Sequence, residues 1–325
     1  MKIITMIRAL VYYLMLFMYT YMYNLIAYTF YFSDKIIDFK LYKNITLYYA
    51  HAFYVILKIV GVKIFINNKI RTDRMLWISN HRSKFDGLLM LILLRLAEID
   101  IISVIKHSIS YLPFFNAFSA HTDLIYIKRT KSEAEKTLTE KSRKTLITGK
   151  SILIFPEGTT ISPSTKAYSD KYATENNIQP FQNLLLPRTT GYEIIQREGQ
   201  FNKTGNITLR YADPIIHGNS GHSYLDLFKI FPSSIYIDIK YEDNTKPENL
   251  YNLFEEKDVQ LNQPIVKESY QEFNNYSKLC FILNFISFIA FYYLLFTVPY
   301  FGYITLVFNS ICCAHFAKAQ SLARP

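Results

Sequence analysis

Apolar positions are massed at the two ends of the chain and interleaved with polar ones between them. From Ala9 to Phe32 no residue is charged, a run of 24 positions; a helix needs about 20 to cross the hydrocarbon core of a bilayer. Lys2 and Arg8 precede the run and no small-residue cleavage site follows it, which predicts an uncleaved anchor over a signal peptide. Its tyrosines equally suit a helix lying in the membrane interface, and a buried core helix gives the same pattern. Near the other end, residues 279–298 and 300–317 are two uncharged runs separated by Pro299, which predicts a hairpin of two short spans. Lys267 and Lys278 lie before it, Lys318 and Arg324 after it. The positive-inside bias then puts both ends of the hairpin, and the middle of the chain, on the cytosolic side.

Residues 45–278 alternate short apolar runs with amphipathic ones. Residues 45–60 predict an apolar helix set against membrane or core. Strands are expected at 63–66 and 75–79, flanking the polar stretch NNKIRTDR. A helix at 85–97, strands at 101–105 and 123–127, and a charged helix at 131–148 follow, the last stopped by Gly149. The run SILIF at 151–155 is apolar throughout, as in a strand buried on both faces. Further strands are expected at 184–186, 207–211 and 235–239, with a helix at 190–197. The polar stretch 162–180 reads as a loop holding a short helix. This rhythm is that of an α/β layered domain. The expected organisation is 1–44 as membrane anchor and juxtamembrane segment, 45–278 as the α/β domain, 279–317 as the membrane hairpin and 318–325 as a short basic tail.

Charge narrows the partners. Lys and Arg number 36 against 26 Asp and Glu, a net charge of +10, which suits nucleic acid, an anionic membrane surface or a phosphorylated substrate. The cations are dispersed and form no known nucleic-acid module, so nucleic acid is not expected. Cys280, Cys312 and Cys313 make no CxxC pair and no disulfide framework. The seven histidines are scattered, and no metal is expected. Asn-x-Ser/Thr sequons at Asn44, Asn202, Asn206 and Asn275 are chance matches if the domain faces the cytosol.

Four short blocks carry candidate chemistry, each at a strand end. The first, NHRSKFD at 80–86, has His81 and Asp86 five positions apart. On a regular helix that spacing is about 140°, so the pair meets only if His81 sits in the loop and Asp86 in the first turn. Asp86 then fixes the imidazole tautomer and leaves the other nitrogen as a base. A surface histidine beside a helix-start aspartate gives the same pattern. The second block, IYIKR at 125–129, ends a strand in Lys128 and Arg129; a guanidinium there could hold a phosphate bidentately, or both cations could simply face water. The third, FPEGTT at 155–160, displays Glu157, Gly158 and Thr159 where α/β sheets place ligands; an ordinary turn is the alternative. The fourth is LPRTTG at 186–191, another strand end with a proline, Pro187, and a cation, Arg188.

In this order and spacing the four blocks resemble the glycerolipid acyltransferase family, the 1-acylglycerol-3-phosphate acyltransferases. NHxxxxD is here NHRSKFD, the apolar strand plus Arg is IYIKR, FPEGT is intact, and the proline-ended strand is LLLPRTTG. The resemblance runs from Leu76 to Tyr211. LLLPRTTGYE and the C-terminal hairpin resemble the eukaryotic branch that includes lysocardiolipin and lysophosphatidylinositol acyltransferases. Two departures stand out: Thr160 occupies the place where the third block usually continues with Arg, and Arg82 and Lys84 add charge to the first.

The resemblance implies a mixed sheet flanked by helices and the transfer of a fatty acyl group from acyl-CoA to the free hydroxyl of a lysophospholipid. The foremost acceptor is 1-acyl-sn-glycerol-3-phosphate, giving phosphatidic acid. It makes His81 the base and Asp86 its support. Arg129 would contact the acceptor phosphate, and Glu157 and Gly158 would line the acceptor site. Asn80, Ser83, Lys128, Thr159 and Pro187 complete the expected substrate contacts. Acyl-CoA enters as co-substrate, with no cofactor; the partners are acyl-CoA, a lysophospholipid and the bilayer, and the expected location is the endoplasmic reticulum with the domain facing the cytosol. A CoA-independent transacylase with the same His-Asp pair, and a non-catalytic membrane scaffold, are the competing readings.

Overall fold

The computed structural model describes residues 2–37, 42–111, 124–128, 130–212, 231–243, 246–274, 278–298 and 300–308. The first apolar run lies within one long helix, α1 (Lys2–Ile37), and α2 (Tyr42–Ile59) packs antiparallel to it, with Tyr12 against Phe53 and Tyr23 against Tyr49. Then come β1 (Lys63–Ile66), β2 (Leu76–Ser79), α3 (Phe85–Leu96), β3 (Ile101–Lys106), β4 (Ile125–Ile127), α4 (Lys131–Thr148) and β5 (Ser151–Ile154). The chain continues through α5 (Pro163–Glu175), α6 (Thr189–Gly199), β6 (Lys203–Tyr211), β7 (Ser234–Asp243), α7 (Leu250–Asn262), β8 (Gln271–Glu272) and α8 (Lys278–Thr297).

The eight strands form one mixed sheet in the order β4-β3-β5-β2-β6-β7-β1-β8. From β4 to β6 every neighbouring pair is parallel; β6 and β7 are antiparallel, as are β1 and β8. Alternation along the strands divides the core between the two faces. Trp77, Leu153, Ile207 and Leu209 join the cluster under α1, α2 and α3, whereas Leu76, Ile78, Ile152 and Ile154 join Leu138, Tyr192, Leu250 and Phe254 on the other side. Gly205 pairs with Trp77 across the β2–β6 ladder, and a Cβ there would come within 2.3 Å of the indole. Only glycine lets that ring lie on the sheet.

Several elements depart from expectation. Residues 184–186 form no strand: the N–H groups of Leu185 and Leu186 go to side chains instead of a ladder, to Glu157 and Ser169. The helix expected within 162–180 is there, 13 residues long. Ser162 and Thr165 cap α5 reciprocally, and Pro163 occupies its first turn. The helix α7 was not foreseen. Asp123 of the expected 123–127 strand lies outside the described residues.

Ile3–Tyr23 is long and apolar enough to cross a membrane. The segments Phe285–Thr297 and Phe301–Phe308 are set at 112° to one another. Residues 309–317 of the expected second span lie outside the described residues. Tyr48 donates to Ser287, Tyr21 to Thr305, and Tyr292 to the carbonyl of Met18, binding the N- and C-terminal apolar helices together. Of the four sequons, Asn206 is buried in β6, out of reach of modification in the folded chain, and Asn275 lies outside the described residues.

Candidate active site

The strands β5, β2 and β6 are adjacent and parallel, so the chain leaves all three at one edge of the sheet. Blocks one and three meet there, with Tyr211. This is the edge where α/β sheets bind ligands.

Block one is shaped by its own side chains. Asn80 exchanges two hydrogen bonds with the backbone of Leu209, donating from Nδ2 to the carbonyl at 3.1 Å and accepting from the N–H at 2.7 Å. Its amide imitates one more rung of the β2–β6 ladder while the chain turns away. Five residues later α3 begins, and Asp86 lies in its first turn, fully buried. Asp86 Oδ2 accepts the N–H groups of Arg82 and Ser83, each at 2.7 Å, and lies 3.3 Å from His81 Nδ1. Oδ1 accepts the hydroxyl of Tyr211. With Nδ1 turned toward an acceptor, the ring proton sits on Nδ1 and Nε2 is left with its lone pair. The imidazole packs against Phe155 at 4.5 Å between ring centres, and the side chain is 19% exposed. The loop brings His81 and Asp86 together as the spacing required.

Block three brackets the same histidine. Glu157 is buried, and its carboxylate accepts the N–H of His81 at 2.6 Å and the N–H of Leu185 at 3.0 Å. The N–H of Ile161 donates to the His81 carbonyl at 3.1 Å. Glu157 was expected to line the acceptor site. Its two oxygens hold the 81–86 loop and the 184–186 segment in register, because the side chain turns inward beneath the turn. Burial pushes its pKa up to about 8, while the two backbone donors and the charge of Lys257 pull it down. Lys257 sits on α7, fully buried, with Nζ donating to the carbonyl of Ile207 at 2.5 Å; burial pushes its pKa down to about 7, and the charge of Glu157 acts against that shift. Gly158 is exposed with φ +70°, a left-handed conformation that a β-carbon would strain.

The remaining candidates separate. Ser83 accepts the Phe85 N–H on its hydroxyl at 3.2 Å and shapes the loop, as Asn80 does. Thr159 is half-buried in the turn beside Gly158. Pro187 lies between two anchors, the Leu186 N–H on Ser169 and the Arg188 N–H on the Pro156 carbonyl at 2.9 Å. Lys128 donates to Glu133 at 2.8 Å, drawn to the first turn of α4. Arg129 lies outside the described residues.

Tyr211 and Lys257 were not among the candidates, and Arg188 was noted only as the cation of the fourth block. Tyr211 carries no motif. Lys257 did leave a signal: it falls seven positions after Leu250 and three after Phe254, on the apolar face of α7. Arg82 has its Nε buried without a partner among the described residues; burial lowers its pKa, and the charges of Asp86 and Glu157 work in the opposite direction.

A family model described as Acyltransferase matches residues 62–199, which hold all four blocks. "Probable 1-acyl-sn-glycerol-3-phosphate acyltransferase 5" of Arabidopsis thaliana is 30% identical over 203 residues, 58% of this chain and 53% of its own length. Lysocardiolipin acyltransferase 1 of Gallus gallus is 29% identical over 168 residues, 48% of this chain and 44% of its own. The 2-acyl-1-lysophosphatidylinositol acyltransferase of Saccharomyces cerevisiae is 32% identical over 124 residues, 33% and 31% of the two. The chain thus spans about half the length, or less, of the curated relatives it matches. The His-Asp pair and the FPEGT turn are assembled at one sheet edge inside the matched region, and the acyltransferase match of residues 62–199 together with these relatives supports the glycerolipid acyltransferase family for that part of the chain.

Proposed function

We propose that this chain transfers a fatty acyl group from acyl-CoA to the free hydroxyl of a lysophospholipid, with 1-acyl-sn-glycerol-3-phosphate as the first acceptor to test. The observation that carries the reading is the His81–Asp86 pair, with Nδ1 facing a buried carboxylate and the ring partly exposed at the sheet edge. Nε2 takes the proton of the acceptor hydroxyl as its oxygen attacks the thioester carbon. The tetrahedral intermediate collapses, the C–S bond breaks, and the proton on Nε2 passes to the departing sulfur. CoA leaves as the thiol and His81 returns to its neutral form. A thioester is electrophilic enough to need no covalent enzyme intermediate. Such a base supplies a factor of about 10²–10⁴, and holding both substrates together supplies more.

The net charge of +10 suits two anionic substrates and an anionic membrane face. The exposed apolar residues of α1 and α8 suit an enzyme that takes its acceptor sideways from the leaflet. The setting we propose is the endoplasmic reticulum, with the site on the cytosolic side.

The test is an assay of the full chain in isolated membranes with labelled oleoyl-CoA and a panel of lysophosphatidate, lysophosphatidylinositol and lysocardiolipin. Label in one or more phospholipid products, dependent on His81, is the expected result. The relatives named for lysocardiolipin and lysophosphatidylinositol make those two acceptors the second choice. Product formed from phospholipid donors in the absence of acyl-CoA would favour a transacylase, and no transfer to any acceptor would overturn the proposal.

A further inference from the structure

The cations at the catalytic edge differ in what already balances them. Lys128 is spent on Glu133, and Lys166 on Asp170. Arg82 lies in the field of Asp86 and Glu157. Thr160 supplies no charge where one was expected. Arg188 is different. It is exposed, and its guanidinium has no ion pair or hydrogen bond among the described residues.

Its position is nevertheless fixed. The Arg188 N–H donates to the carbonyl of Pro156, so the backbone of block four is tied to the turn of block three. The side chain then folds back over Gly158. Nε lies 3.4 Å, and Cδ and Cζ 3.5 Å, from where a β-carbon of residue 158 would be. The side chain thus lies in van der Waals reach of the turn, one residue from the Glu157 carboxylate that holds the His81 N–H. An unbalanced guanidinium lying over this turn has its donors left for a ligand. A phosphate fits that fork in geometry and charge.

We propose that Arg188 binds a phosphate group of a substrate at this edge, in the place of the cation that the third block lacks. For its ligand the inference rests on the acyl-transfer reading, in which both substrates carry phosphate. The phosphate comes either from the acceptor head group or from CoA, and the test separates these sources.

The experiment is equilibrium binding to the detergent-solubilised full chain by calorimetry, with sn-glycerol 3-phosphate and CoA as separate probes. It needs no turnover, so it is read independently of the transfer assay. Arg188→Ala is expected to weaken one probe about tenfold or more, the range of a lost charge-assisted hydrogen bond, and to leave the other within about twofold. The probe affected names the source. Arg188→Lys keeps the charge without the fork and is expected to fall between. Arg188 is exposed, so both variants should keep the wild-type melting temperature. Unchanged binding of both probes in Arg188→Ala, or no binding of either by the wild-type chain, would overturn the assignment.

Discussion

The hydroxyl of Tyr211 donates to Oδ1 of Asp86, 125 positions earlier in the chain, while His81 approaches Oδ2 of the same carboxylate. One buried acid thus joins the end of β6 to the 81–86 loop. Tyr211→Phe removes the hydroxyl and keeps the ring. It is expected to lower kcat about tenfold with acceptor KM little changed, because Asp86 loses the bond that fixes its rotation. The lost bond leaves a buried oxygen one donor short, at about 1–2 kcal/mol, visible as a lower Tm. Wild-type kcat in Tyr211→Phe would make the bond structural only.

The pair itself makes a sharper demand. His81→Ala should abolish transfer while the protein stays folded and membrane-bound, since His81 is partly exposed and its backbone is held independently by Glu157 and Ile161. Asp86→Asn should lower kcat by about 10²–10⁴. An amide can still accept the N–H bonds of Arg82 and Ser83, but it no longer offers the imidazolium a charge. Near-normal turnover in His81→Ala would remove it as the base.

Glu157 and Lys257 give the chain a pH signature. Glu157 is raised from the ordinary 4.5 to about 8, so its contribution to stability is present below pH 4.5 and lost as pH rises through 8. Lys257 is lowered from 10.5 to about 7, so its contribution is present above 10.5 and lost as pH falls through 7. The two leave a minimum of stability between about pH 7 and 8. Glu157 is faced by Lys257 from α7, Asp86 from α3 and Arg82 from the loop; Lys257 is faced by Glu157 and by Lys240 of β7. Lys257→Met should delete the gain in Tm on the alkaline side. It should also move the acid limb of the kcat/KM profile to higher pH, because Glu157 then takes up its proton more readily and gives up one of its two backbone bonds. A superimposable pH profile would show that Glu157 does not sense Lys257.

What was legible in the sequence was local. His81 and Asp86 could be paired because a loop of four residues and the first turn of a helix suffice to join them. The strand SILIF and the capped end of α4 at Gly149 were legible for the same reason, since each element is decided by its own residues. The role of Glu157 was not. Its partners, the N–H groups of His81 and Leu185, lie 76 and 28 positions away and are brought together only by the β5-β2 pairing. The run at 184–186 reads as a strand by composition, yet β5 has β3 and β2 on its two sides and leaves it no edge to join. Tyr211 needed the β2–β6 pairing to be placed, and Lys257 a helix whose polar residue count concealed its apolar face.

The apolar stripes of α1 and α8 offer the last test. On α1, Ala9, Tyr12, Tyr19, Met22 and Tyr23 are buried, whereas Leu10, Leu14 and Phe17 face outward, as do Ile282, Ile286 and Ile289 on α8. Such stripes at helical spacing are what lipid covers in a membrane-bound protein. A charge at hydrocarbon depth costs about 2.5–3.5 kcal/mol per residue, so Leu10→Asp with Leu14→Asp should shift the protein from the floating to the soluble fraction in a vesicle flotation assay. Adding Ile282→Asp and Ile286→Asp should deepen the shift. Ile147→Asp, at a residue 90% exposed on α4, is the control and should float like the wild type. Flotation unchanged in the fourfold variant would mean that protein, not lipid, covers these faces, and the same variants would then disrupt self-association in detergent.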